Sequence, residues 1–196
     1  MNYIDIFLVD RFEKQIIDSL GIHAVAKIKD RLFERHGMSL SQAIMDFEIF
    51  ESVLYEYFGS GNKGVIKDCI NSVCIPSQSE NTIEIKDEEL EKTIFESMMD
   101  DDKKSIISKT MKSPMTLKEM VMEIQENSTE QKAFEKVNSL ITNRILMESP
   151  KDDHMKETYY YNVINGMTIN YEDGIKITMS LKENLQHSMI LQQIIR

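Results

Sequence analysis

Two helix-start signals stand close together in this chain, and they restrict its fold more than any other feature. Thr116 is followed three residues later by Glu119, and Ser128 three residues later by Gln131. Each is a capping-box pattern, in which a hydroxyl accepts a first-turn N–H while the acid or amide reaches back to the cap. Leu117, Met120, Val121 and Ile124 lie between them at helical spacing, and Glu126 and Asn127 leave room only for a tight turn. The second helix places Ala133, Phe134, Val137, Leu140 and Ile141 on one side, with Lys132, Glu135, Lys136 and Ser139 on the other.

The neighbouring segments extend this pattern. Asp87 caps a helix carrying Leu90, Ile94 and Phe95. A further helix runs from Asp101 to about Lys112, with Ile106 and Ile107 inward, until Pro114 stops it. After the capped pair come a short apolar strand, Ile145 to Met147, a polar stretch over 148–157, and Thr158 to Tyr161, rich in strand-favouring aromatics. Met167, Ile169 and Tyr171, then Ile175, Ile177 and Met179, alternate with polar residues about a Glu172, Asp173, Gly174 turn and predict a second hairpin. An amphipathic segment from Leu181 to Ile195 closes the chain. Three helices with a tight turn between the second and third, followed at once by a two-stranded ribbon, is the order of a winged helix-turn-helix.

The first 75 residues read as helices punctuated by glycines. Ile4, Leu8, Phe12, Ile16, Ile17 and Leu20 recur at helical spacing up to Gly21, and Val25, Ile28, Leu32 and Phe33 form the inward side of a helix that Gly37 ends. Ser39 and Gln42 form a third capping box, opening a helical segment that runs to Gly59 with a break expected near Asp46. A loop from Gly59 to Gly64 precedes a last helix with Val65, Ile66, Ile70 and Val73. Residues 76–81 mix Pro, Ser, Gln and Asn without apolar periodicity, which places a linker over 76–86. The expected architecture is mainly α with a small β component: a helical domain over 1–75, of sensing or dimerising role, then a winged helix-turn-helix domain over 87–196 with a C-terminal hairpin and helix.

Composition removes several classes of function. With 41% hydrophobic and 29% charged residues the chain belongs with globular proteins. Its apolar runs are too short to span a bilayer and no secretory leader pattern opens it, so a cytoplasmic location away from membranes is expected. Cys69 and Cys74, five apart, turn to different faces of a helix and are expected as buried thiols. His23, His36, His154 and His187 lack metal-ligand spacing, and FGSGNKG has neither a preceding strand nor a Lys followed by Ser or Thr, so it reads as a helix-helix loop. No metal, cofactor or catalytic residue is expected, and the chain reads as a non-enzyme. The net charge of -10 is uneven: residues 76–100 hold 2 basic and 8 acidic groups, whereas 101–161 hold 10 and 11.

The runs DDDKKSIISKTMKSPMTLKEMVMEI, KVNSLITNRILM and YYYNVINGMTINYEDGIKITMSL, with the closing SMILQQIIR, resemble the archaeal ArsR-like winged helix-turn-helix regulators over about residues 82–196. The resemblance implies a cytoplasmic transcription regulator that binds double-stranded DNA. It makes the helix beginning near Ser128 the reader, with Ser128, Thr129, Gln131, Lys132 and Lys136 nearest the DNA, Lys118 as a phosphate partner, and Lys151 and Lys156 on the wing over 148–157. Two positions depart from the family's pattern: Glu135 stands where a basic residue is common, and Arg144 replaces the glycine that usually follows the reading helix.

A second reading stays open, in which the lysines are a solvated helical face and the winged helix is a protein-interaction module docking to transcription machinery. A homodimer is expected as well, because Leu185, Met189, Leu191, Ile194 and Ile195 exceed what a small winged helix needs to cover itself.

Overall fold

The computed structural model describes residues 2–77, 79, 81–125, 129–149, 157–171 and 174–195. Among them the chain is mainly helical with a small antiparallel β component.

The helical body begins with α1 (Tyr3–Leu20). Asn2 caps it, its Oδ1 accepting the Ile4 N–H at 2.8 Å. α2 (Ile22–His36) ends at Gly37, whose φ of 64° lets its N–H reach the Phe33 carbonyl. α3 (Leu40–Met45) carries both halves of the Ser39 and Gln42 capping box. The break expected near Asp46 is present: at φ -113° and ψ 77° that residue separates α3 from α4 (Phe47–Phe58). The expected loop is shorter than 59–64, because a 3-10 turn over 59–61 leads directly into α5 (Asn62–Val73). Phe12, Phe47 and Phe50 pack against one another at ring separations of 5.6 to 6.4 Å in the centre. Phe33, expected inward, is 71% exposed. Val25, Ile28 and Leu32 fix the buried stripe of α2, and Phe33 lies 100° round the helix from Leu32.

The span expected as a linker, 76–86, instead holds the end of one strand and the whole of another. β1 (Cys74–Pro76) and β2 (Thr82–Ile85) pair antiparallel, and Ile83 and Ile85 alternate with Glu84 to face the core. β2 then pairs with a strand from the far end of the chain. The second expected hairpin, β6 (Ile164–Asn170) and β7 (Lys176–Leu181), supplies it, giving a four-stranded sheet of order β1-β2-β7-β6. The closing segment is not one amphipathic helix. Leu181 ends β7, a 3-10 turn covers 185–187, and only Gln192–Ile195 is α-helical. Asp5, buried in α1, fixes this turn by accepting the Ser188 hydroxyl and the N–H groups of Met189 and Ile190, at 2.9 and 3.1 Å for the last two. Burial pushes the Asp5 carboxyl up, and those three donors oppose the rise. Leu185 and Leu191 are buried, and Met189 and Ile194 pack on the same core, so most of the apolar excess that suggested a dimer covers the chain's own body.

The segment between β2 and β6 is a second unit. β2 is followed by α6 (Glu88–Met99), capped by Asp87 as expected, with Leu90 and Ile94 facing the body's core. Then come α7 (Asp101–Thr110), β3 (Met115–Thr116), α8 (Leu117–Gln125), α9 (Glu130–Thr142), β4 (Met147–Glu148) and β5 (Tyr159–Tyr161). The three strands form a separate antiparallel sheet of order β3-β5-β4. Ile106, Ile107, Met120, Ile124, Ala133, Val137, Leu140, Ile145 and Leu146 make a core of their own beneath it. The unit is therefore inserted between two halves of the body and is not appended to a completed domain.

Replacing Phe12 by Ala removes a fully buried ring and should cost about 3–5 kcal/mol, whereas Phe33→Ala should change stability by no more than about 0.5 kcal/mol. Asp5→Ala strands two backbone N–H groups and a hydroxyl, and should cost about 3 kcal/mol. Denaturant melts of the three variants beside the parent chain measure all of these.

Candidate nucleic-acid interface

α8 and α9 owe their positions to their caps. The Thr116 N–H donates to Glu119 Oε2 at 2.7 Å, and the Glu119 N–H returns to Thr116 Oγ1 at 3.2 Å, completing the expected capping box. The Thr116 N–H first, and then the Thr116 hydroxyl, which also donates to Glu119 Oε2 at 3.0 Å, hold the Glu119 carboxyl below its ordinary value. At α9 the cap is Thr129, whose hydroxyl accepts the Lys132 N–H at 3.4 Å. Ser128, expected in that role, lies outside the described residues, as do Lys151 and Lys156.

The phase of α9 sorts the remaining candidates. Ala133, Val137 and Leu140 are buried, which turns Gln131, Lys132 and Glu135 to solvent. Gln131 Nε2 donates to Glu135 Oε1 at 3.1 Å, one turn along the helix. Lys118, at the start of α8, and Lys132 are exposed, and neither has an ion-pair partner among the described residues. Lys136 differs. Its ammonium lies 2.8 Å from a carboxylate oxygen of Asp100 and 2.8 Å from one of Asp102. Those hydrogen bonds raise the lysine's pKa, that to Asp100 most. Partial burial pushes the Asp100 carboxyl up, but Lys136 and the N–H groups of Lys103 and Asp102 outweigh it and hold the group below its ordinary value. One of the two α9 lysines that the family resemblance puts forward is thus already bridged to the first turn of α7.

Phe134 was expected inward and instead stands 47% exposed. It lies 60° round the helix from Val137 but 100° from Ala133, hence about 90° off the buried centre line, and it turns toward α8. There it lines a groove of ≈ 930 Å³ together with Leu117, Val121 and Met122, with Lys118 and Gln131 on the rim. Met122 is 59% exposed. Periodicity put Phe134 on the inward side, and only the helix phase set by the core shows that it faces outward.

Arg144 follows α9 with a φ of 56°, the left-handed conformation that a glycine would take without strain. Its guanidinium pairs with Asp10 of α1, Nη2 lying 2.9 Å from Oδ1. Lys182 Nζ donates to the Thr110 carbonyl at 3.2 Å and sits over the Tyr161 ring. These contacts fix the inserted unit against the body. Among the described residues no group of three or more His, Cys, Asp or Glu could hold a metal ion, and no helix is long and apolar enough to cross a membrane. Cys69 and Cys74 are free and buried, and burial pushes the Cys74 thiol up to about 12.

Comparison of the chain with protein-family models, with curated proteins and with solved structures finds no match.

The Asp100 and Lys136 pair gives a defined pH dependence. Because the folded carboxyl is held below its ordinary value, its contribution is complete at neutral pH and is lost as pH falls through the folded-state value. Lys136→Met leaves burial less opposed, so the Asp100 midpoint should move upward. Carboxyl-detected NMR titration of both proteins checks this, and an unchanged midpoint would mean that the bridge is absent in solution.

Proposed function

We propose that residues 100–161 form a winged helix-turn-helix and that the chain is a DNA-binding transcription regulator, with α9 entering the major groove. The observation that carries this reading is the strand order. β3, placed in sequence between α7 and α8, joins the ribbon as β3-β5-β4 and so holds β4 and β5 beside the end of α9. That arrangement lets a helix address base edges while the ribbon addresses the adjoining backbone. The exposed face of α9 offers Gln131 for a base and Lys132 for a phosphate, and Lys118 lies at the start of the preceding helix. The resemblance to archaeal ArsR-like regulators points the same way.

The second reading, a winged helix that docks to another protein, is favoured by one observation: the unit's outer face carries the exposed Met122 and Phe134 while Lys136 is engaged by two carboxylates. Salt dependence separates the two. With Lys118, Lys132, Lys151 and Lys156 as the available phosphate partners, the log-log slope of duplex affinity against salt should have a magnitude of no more than about four per chain. Lys118→Ala should reduce that slope by about one. Glu135→Lys should tighten binding to every duplex, since it replaces an anion near the phosphates by a cation. Fluorescence anisotropy of labelled duplexes at several salt concentrations reads all three. Absence of binding at low salt by both the parent chain and Glu135→Lys would hand the unit to the protein-docking reading.

A further inference from the structure

We propose that α9 selects A·T base pairs by a two-point contact: Gln131 pairs with the adenine edge, and Phe134 packs on the thymine 5-methyl group. This rests on the DNA-binding reading and adds the chemical feature that the site distinguishes.

Three observations support it. Gln131 and Phe134 are three apart on one helix, so their side chains are neighbours, and both line the groove between α8 and α9. Phe134 is an aromatic ring held 47% exposed, within a strip that also presents Met122. The Gln131 amide is oriented before any base arrives. A carboxylate only accepts, so the 3.1 Å contact with Glu135 fixes Nε2 as the donor and settles which way the amide points. One N–H is used on Glu135, which leaves the second N–H and Oε1. Those two groups match the N7 acceptor and N6 amino donor of adenine, and across the same base pair the major groove ends in the thymine methyl. Glu135 thereby becomes a positioning residue. It opposes phosphates in general, yet it holds the amide that recognises a base.

The methyl group gives a direct test, because uracil keeps every hydrogen-bonding group of thymine and lacks only that carbon. The probes are equal-length alternating d(AT) and d(AU) duplexes, titrated against the full chain at low salt. The parent chain should bind d(AT) about fourfold more tightly for each methyl buried. Phe134→Ala should bring that ratio close to one while leaving d(AU) affinity nearly unchanged. Glu135→Ala should keep the methyl effect but lose preference for d(AU) over an alternating duplex of inosine and cytosine, since the amide is then unanchored.

Equal binding of d(AT) and d(AU) by the parent chain would overturn the inference and leave the DNA reading intact. A d(AT) preference that survives Phe134→Ala would also overturn it, because the methyl would then be read elsewhere. If Phe134→Ala leaves affinity for every duplex unchanged, the groove does not meet DNA, the inference fails, and its apolar strip belongs to a protein partner. Failure to bind any of the duplexes would remove the DNA reading itself. Far-ultraviolet circular dichroism of each variant confirms that it is folded, as expected for changes at exposed positions.

Discussion

The pairing of β2 with β7 is the constraint on which the rest of the architecture depends. Thr82, Ile83 and Glu84 lie opposite Ser180, Met179 and Thr178, joining the end of the helical half to the last strand of the chain. Ile83 and Met179 are both fully buried, so a slip of one residue would turn each apolar side chain to the wrong face. On the other side of β7, a Cβ at Gly166 would come within 2.9 Å of Ser180 Oγ, so that hydroxyl would have to turn away to admit a side chain. With that sheet closed, Asp5 can hold the turn at 188–190, and the Tyr3 N–H can donate to Glu183 at 2.9 Å. The chain from α7 to β5 must then leave the body and return to it.

This two-point attachment explains the ion pairs between unit and body. Asp10 and Arg11 of α1 face Arg144 and Glu89 respectively, so one helix of the body braces both the exit from α9 and the beginning of α6. A non-glycine residue in the left-handed region costs on the order of 1 kcal/mol or more. Arg144 accepts that strain where a glycine would not, and its guanidinium reaches Asp10. The side chain at this position thus serves the attachment of the inserted unit to the body. Glu135 is similar: read as a lone anion it only opposes a polyanion, but beside Gln131 it orders an amide.

Local signals in the sequence were reliable where the physics is local. The Ser39 and Thr116 caps, the stops at Gly21 and Gly37, the break at Asp46 and both hairpins could be read because each is decided within a few residues. β2 could not. Its four residues follow a polar stretch, and the partner that makes them a strand lies at 176–181. The closing segment has helical spacing, yet its first residue is claimed by β7 and its middle by Asp5. At the candidate interface, Gln131, Lys132 and Lys118 were correctly read as exposed. Phe134, expected inward, faces outward, and Lys136, expected on the open side, is paired with two carboxylates, because their surroundings are set by α7 and α8 and not by α9 alone.

The inserted arrangement also governs how the chain must fold as it is made. Synthesis runs from β1 and β2 through the whole of α6 to β5 before β6 and β7 exist. Throughout that interval the β2 edge has no neighbour on its β7 side, and an unpaired edge is open to other chains. The inserted unit, whose fully buried residues all lie within 106–146, can meanwhile condense on its own. The body waits for contacts far apart in sequence, and such contacts form slowly. Translation therefore completes the smaller unit first and leaves the larger, older part of the chain unfinished until its last strand emerges.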